Sequence, residues 1–378
     1  MKLEQRRWTQ AGRWAPDRNS NLGDSAQLVL LFGSARLLRE KKCMHDIRNL
    51  YPNAHLLGCS TAGEICGAQV FDDSLVVTAV HFEYTQLKGA KAKIDKMENS
   101  CNVGRHLAQS LDREGLVHVF VLSDGLKING SGLVKGLIEN LPDHVSVTGG
   151  LSGDDALFRE TVVLWTDEPE KDTVVALGFY GNRLKIGYAS LGGWDPFGPE
   201  RLITRSNGNV LYEFDGKSAL ALYKKYLGDH AKGLPSTGLL FPLSVRLGTN
   251  DRGVVRTILA VNEEDQSMTF AGDIPEGASA RLMKANFDRL IDGAVGAAKS
   301  SLTMIGGPPD LAVLISCVGR KLILKQRVEE ELEGVREVFG RQAVLAGFYS
   351  YGEISPVASG EPCELHNQTM TITAFSER

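Results

Sequence analysis

The chain spells one loop almost the same way near each of its ends, and this repetition restricts its fold more than any other feature. Leu57-Gly58-Cys59-Ser60-Thr61-Ala62-Gly63-Glu64-Ile65 is answered by Ala346-Gly347-Phe348-Tyr349-Ser350-Tyr351-Gly352-Glu353-Ile354. A weaker echo, Thr148-Gly149-Gly150-Leu151-Ser152-Gly153-Asp154-Asp155, stands between them. Each copy follows a strand–helix–strand pattern, and apolar strand sequence resumes after it. The expected fold is α/β with mixed α+β character: two domains of mixed sheets and interleaved helices, with internal strand–helix–strand–loop repeats. Three loops of similar chemistry at strand exits point to one shared surface.

At 378 residues the chain has length for two domains. A net charge of −4 offers no basic field for nucleic acid or an anionic membrane. The longest apolar runs, such as Leu28 to Phe32, are far short of the roughly 20 residues of a membrane span. Met1 to Trp8 is charged and unlike a signal peptide, which leads to the expectation of a cytoplasmic protein. Six cysteines are scattered without a C-x-x-C pair, which argues against zinc ribbons and disulfide frameworks. Cys59 alone lies inside the repeated loop, where a small residue filling a tight turn is the simpler reading.

Residues 1–26 read as a polar N-terminal arm docked by Trp8 and Trp14, residues 27–215 as a first domain and residues 216–378 as a second. The first unit runs strand 27–33, helix 35–50 and strand 55–58, with Pro52 ending the helix. Residues 74–81 form a β-branched strand, and residues 91–94 end its partner. The second unit takes strands 117–122 and 145–148 around a helix striped by Leu133, Leu137 and Leu141. Strands at 161–165, 174–180 and 184–189 follow. The later part begins with a helix at 217–227 and strands at 241–246, 254–261 and 266–270, the last two joined by Asn262-Glu263-Glu264-Asp265. A long helix is expected over 278–302, stopped by Gly306-Gly307-Pro308-Pro309. The final unit is strand 311–317, a helix striped by Val328, Leu332, Val335 and Phe339, strand 343–347 and terminal strand 369–375.

Several binding and catalytic motifs are incomplete. Gly216-Lys217-Ser218 lacks the first glycine of a phosphate loop, because position 211 is Leu211. Phe32-Gly33-Ser34-Ala35 supplies one glycine where a dinucleotide fingerprint needs three. In Gly58-Cys59-Ser60-Thr61-Ala62, Ala62 replaces the second glycine of a nucleophile elbow. The eight histidines show no metal-ligand spacing. His366, in Leu365-His366-Asn367-Gln368-Thr369, is the one best placed for a ligand contact, with Asn367 beside it.

A glycine precedes a glutamate in both terminal loops, Gly63-Glu64 and Gly352-Glu353. Such carboxylates can receive the ammonium or hydroxyl of a small polar ligand, with Asp154 or Asp155 as the middle analogue. Ser60, Thr61, Ser152, Tyr349, Ser350 and Tyr351 offer further hydrogen bonds. Equally, Glu64 and Glu353 can cap neighbouring backbone N–H groups and hold the loops in shape. No catalytic residue and no metal ligand is assigned.

Together with Gln27 to Gly33, Tyr212-Glu213-Phe214-Asp215-Gly216 and His366-Asn367-Gln368-Thr369, these loops resemble the FIST (F-box and intracellular signal transduction) proteins, which pair an N-terminal with a C-terminal FIST module. The resemblance runs from about residue 27 to the end. It implies an intracellular sensory protein binding a small ligand, with amino acids or their derivatives the proposed class, and no cofactor. Relatives carry fused output modules; none is evident in this sequence, nor is an F-box, so the output is expected to pass through a separate protein such as a histidine kinase. One branch of the family binds haem and reports nitric oxide to a partner kinase, which is the alternative; its haem ligand is not mapped onto a residue here. A hydrolase or transferase using Glu64, Glu353 and Ser60 is the third reading.

Overall fold

The computed structural model describes residues 1–9, 11–16, 20–166, 168–248 and 253–378. It is a mixed α+β structure in which one strand plan occurs three times. In the first unit the parallel strands Leu28–Gly33 and His55–Ser60 are linked by the helices Ala35–Leu38 and Lys41–Leu50. Leu75–His81 runs antiparallel to the first of them, and Lys2–Trp8 lies beside it. The second unit repeats this with Leu116–Ser123, helix Gly130–Ile138, Ser146–Leu151, Thr173–Tyr180 and outer strand Gln86–Lys93. The third uses Leu311–Cys317, helices Val318–Leu324 and Val328–Phe339, Val344–Ser350, Met370–Glu377 and outer strand Leu184–Leu191.

After its repeated loop, each unit sends a hairpin away from its own sheet. Glu64–Cys66 and Gln69–Phe71 join the third unit's sheet, Val163–Trp165 and Pro169–Glu170 the first unit's, and Gly352–Pro356 and Cys363–His366 the second unit's. The exchange is cyclic, so no unit completes its sheet alone. The return from each hairpin is made the same way: Asp73, Asp172 and Gln368 all take positive φ. The next residues, Ser74, Thr173 and Thr369, accept at their carbonyls from the N–H of Ser34, Asp124 and Cys317.

Both faces of the inner strands are buried, which explains their near-continuous apolar sequence. Leu28, Leu30 and Phe32 meet Phe120, Leu122, Val313, Ile315 and Phe348 in a core shared by all three units. The alternate residues Val29 and Leu31 face Leu37, Cys43 and Ile47 of the first unit's helices. Among the described residues no helix is long and apolar enough to cross a membrane.

Between the third unit's outer strand and its helix Phe287–Ile305 lies an inserted antiparallel sheet running from Asp195–Asn207 to Ser279–Lys284, with its own core around Leu211, Phe214, Tyr223, Leu243 and Phe270. Here several expectations need correction. The helix expected over 278–302 starts at Phe287; Ser279–Lys284 is a strand, burying Ala280 and Leu282 on alternate positions, and Asn286 caps the helix by accepting from Arg289 N–H. The single strand expected over 254–261 bends at Thr257 into Val254–Arg256 and Ile258–Asn262, which pair with different partners. The helix expected over 35–50 is interrupted between Leu38 and Lys41. Of residues 91–94, the first three end the strand Gln86–Lys93, which pairs with Thr173–Tyr180 and not with 74–81. The segment read as an arm contributes the strand Lys2–Trp8, and Trp8 packs edge-on against Trp14; residues 10 and 17–19 lie outside the described residues.

The two chain crossings into and out of the insertion are held by one side chain. Arg320, fully buried, donates from Nη1 to Gly192 O at 2.7 Å and from Nη2 to Leu290 O at 2.7 Å. Its Nη2 also lies 2.8 Å from Glu331 Oε2, and Glu331 Oε1 accepts from Tyr349 OH at 2.7 Å and Ser316 Oγ at 3.2 Å. Breaking a buried pair from one side strands a charge and costs about 3–5 kcal/mol. Arg320→Met is therefore expected to destabilise by about that amount, and Arg320→Met combined with Glu331→Gln by clearly less than the sum of the singles. Equilibrium denaturation of the four proteins checks this; strictly additive losses would show that the two side chains act independently.

Candidate functional site

The three repeated loops meet. Ala62 N–H donates to Tyr349 O at 2.8 Å and Tyr349 N–H to Gly63 O at 2.8 Å, joining the first loop to the third. Gly153 N–H donates to Ser60 O at 2.9 Å and Asp155 N–H to Thr61 O at 3.2 Å, joining the second to the first. Tyr351 N–H donates to Leu151 O at 3.2 Å and closes the ring. Gly63 is required here: its φ is +135°, and a Cβ would stand 2.6 Å from Lys321 Nζ.

Most of the polar side chains expected at a site are turned to the loops themselves. Ser60 Oγ accepts from Val162 N–H at 2.9 Å, and Ser152 Oγ donates to Ser123 O at 2.9 Å. Tyr349 is fully buried against Glu331. Asp154 accepts from the N–H groups of Phe158, Arg159 and Glu160 at 2.7–2.8 Å and from Tyr351 OH, so it shapes its own loop. The ring of Tyr351 stacks on the half-exposed Phe158 with centroids 4.3 Å apart. Asp155 is exposed. Cys59 is buried, and burial holds its thiol protonated.

Glu64 and Glu353 occupy matching clamps. Glu64 Oε1 accepts from Thr61 Oγ1 at 2.6 Å, and its Oε2 from Ser74 Oγ at 2.7 Å and Ser74 N–H at 3.0 Å. Glu353 Oε1 accepts from Ser350 Oγ at 2.6 Å, and its Oε2 from Thr369 Oγ1 at 3.0 Å and Thr369 N–H at 3.3 Å. Thr371 and Ser190 extend this second clamp, Thr371 Oγ1 donating to Ser190 Oγ and Ser190 Oγ to Thr369 Oγ1. Burial outweighs these bonds and pushes the carboxyls up, Glu64 to about 7 and Glu353 to about 8. The second unit has Val163 at the matching register; there Asp124 accepts from Thr161 Oγ1 at 2.8 Å and Asp172 N–H at 3.3 Å.

His366 and Asn367 lie farther along the third hairpin, toward the inserted sheet. His366 is buried with Nε2 2.8 Å from Ser355 O, and burial lowers its pKa to about 4, so the ring is neutral. To hold a haem through that nitrogen, His366 would have to give up this contact. Asn367 is buried, and neither amide atom has a partner among the described residues.

Sequence reasoning missed Lys321, the cation of the junction. It follows the buried Arg320 on Val318–Leu324, and its Nζ donates to Ala62 O at 2.8 Å and to Asp72 while standing 5.8 Å from the Tyr349 ring centroid. Only the hairpin exchange brings it to the first loop, so no local motif announces it. Asp155 lies in electrostatic reach of Lys321, Asp72, Asp154 and Asp73, so the rim is rich in acid, with Arg36 paired to Asp73 at 2.9 Å.

Because the folded carboxyls hold protons to higher pH than the roughly 4.3 of a free glutamate, the native state binds more protons than the unfolded chain between about pH 4.5 and 8. Stability from these groups is therefore highest at low pH and falls as pH rises through 7 and 8. Glu353→Gln removes one ionisation, so the variant's unfolding midpoint minus that of the parent is expected to rise from pH 6.5 to pH 9. A difference that stays constant over that range would show that Glu353 is ionised throughout it.

Family models match two stretches, the FIST N domain over residues 27–217 and the FIST C domain over residues 219–356. An uncharacterized protein of Methanocaldococcus jannaschii is 24% identical over 342 residues, covering 84% of this chain and 65% of its own length. An uncharacterized protein of Mycobacterium tuberculosis is 26% identical over 274 residues, 68% of this chain and 67% of that one. The chain thus spans just under two thirds of the archaeal relative's length. Among solved structures, a chorismatase aligns over 99% of this chain and 98% of its own at 8% identity and TM-score 0.34. A cyanuric acid hydrolase from A. caulinodans aligns over 100% and 99% at 8% identity and TM-score 0.36. Neither likeness is close enough to bear on activity. With both of its domain models matched in order over most of its length, the chain belongs to the FIST family of sensory, small-ligand-binding signal-transduction domains.

Proposed function

We propose that this protein is a cytoplasmic sensor of an amino acid or related metabolite, read at the rim of the three-loop junction and reported to a separate signalling protein such as a histidine kinase. The observation that carries the reading is the arrangement of charge on that rim. Lys321 Nζ, on a side chain 19% exposed, is held by Ala62 O and Asp72, with the exposed Asp155 nearby and Tyr351 stacked on Phe158. A zwitterion matches it: the carboxylate pairs with Lys321 and the ammonium with Asp155. Lys321 belongs to the third unit, Asp72 to the first and Asp155 to the second, so a ligand there engages all three. Differential affinity for two arrangements of these loops is what would convert binding into a signal.

The test is thermal unfolding against a panel of amino acids and polyamines. A ligand at a hundred times its dissociation constant adds about 2.7 kcal/mol, read as a rise of about a few degrees in a chain of this size. Lys321→Met is expected to weaken the stabilising amino acid by about tenfold or more. Stabilisation by none of the panel, or equal binding by Lys321→Met, would remove the reading.

A further inference from the structure

A second cleft lies away from the junction, between the helix Gly130–Ile138, the strand Cys363–His366 and the inserted sheet. It encloses about 230 Å³, the liquid volume of about eight waters. Its polar wall carries Arg256, 6% exposed, whose Nε donates to Asp273 O at 3.2 Å and Nη1 to Leu365 O at 2.8 Å. Among the described residues Nη2 has no hydrogen-bond partner, and no carboxylate stands within ion-pair distance of the guanidinium. Glu364 and Asp273 support its charge only at longer range, and the Asp273 carboxylate accepts from Asn129 Nδ2 at 2.8 Å. Burial pulls Arg256 down to about 10, which leaves it charged at neutral pH.

A second polar group is left over. Ser131 Oγ is buried on the wall of the same cleft and has no partner among the described residues. A buried hydroxyl without a partner is costly until something completes it, and the guanidinium, with Nε and Nη1 on carbonyls, has a donor to spare at Nη2. Apart from Lys135 and Glu364, the rest of the wall is largely apolar, with Val134, Ile138, Val245, Val254 and Pro275.

We propose that this cleft binds a small organic carboxylate, its oxygens on Arg256 Nη2 and Ser131 Oγ and its apolar part along Val134, Ile138 and Val245. The flanking Glu364 and Asp273 select for a single negative charge by repelling polyanions. The occupant would join the second unit, the third unit's hairpin and the insertion, and so stiffen the strand that leads into His366 and Asn367.

Saturation-transfer NMR on the full chain tests this with butyrate as the probe and n-butylamine as the control of equal size and opposite charge. Butyrate is expected to give a signal and butylamine none. Ser131→Ala should weaken butyrate by about tenfold, the loss of one charge-assisted hydrogen bond. Arg256→Met should abolish binding, but Arg256 also ties two segments together, so Ile138→Glu at the exposed rim is the decisive variant. It should fold with an unchanged midpoint and lose the butyrate signal, while Lys321→Met at the loop junction should keep it. No butyrate signal from the parent chain, equal signals from both probes, retention in Ile138→Glu, or loss in Lys321→Met would each overturn the proposal.

Discussion

The guanidinium of Arg320 is the constraint on which the rest of the architecture hangs. Its fork reaches Gly192, where the chain leaves the threefold body for the insertion, and Leu290, where it returns. The same group neutralises Glu331, which in turn receives Tyr349 OH beneath the junction of loops. One buried charge thus fixes the insertion, the third unit's helix Val328–Phe339 and the third loop at once. A methionine would fill similar space but supply none of the donors that two carbonyls and a carboxylate require.

Cyclic exchange of hairpins explains why the loops can meet at all. Had each hairpin folded back on its own sheet, the three loops would close three separate units, each with its own rim. By crossing to a neighbour, each loop runs over the gap between two sheets, and its backbone groups bond to the loops on either side. The cost is that few side-chain hydroxyls remain for a ligand. Ser60 is taken by the crossing at Val162, Ser152 by Ser123 and Tyr349 by Glu331, and the charged groups left around the rim are Lys321 and its acidic neighbours.

Much of this was legible in the sequence because the inner strands are buried on both faces and the repeated loop marks their ends. Leu28 to Phe32 and Leu311 to Cys317 could hardly be anything but interior strands. The hairpins were not legible, since Glu64–Cys66 and Val163–Trp165 are three residues long and owe their partners to another unit. Ser279–Lys284 was hidden for a related reason: with only Ala280 and Leu282 buried on alternate positions it carries little signal beside the long helix that follows, and pairing with Leu243–Arg246 and Asp195–Asn207 makes it a strand. At the junction, the polar residues that form the loop were visible locally. Lys321 was not, because its neighbour is 259 residues away in sequence.

The duplicated Gly-Glu pair takes its meaning from the unit that lacks it. In the first and third units the carboxylate ties the end of one inner strand, through Thr61 or Ser350, to the start of another, through Ser74 or Thr369. In the second unit Val163 stands at that register and Ser152, the counterpart of Thr61 and Ser350, donates to Ser123 O; Asp124, just past the strand Leu116–Ser123, links Thr161 on the crossing to Asp172 at the return. Each crossing thus carries a carboxylate that accepts from hydroxyl and backbone N–H donors, with the second joining different positions from the other two. At Glu64 and Glu353 burial outweighs the hydrogen bonds and lifts both carboxyls into the neutral range. Two of the three crossings are thereby held by groups that a modest change in their surroundings can charge or discharge, which is the property a sensing junction needs.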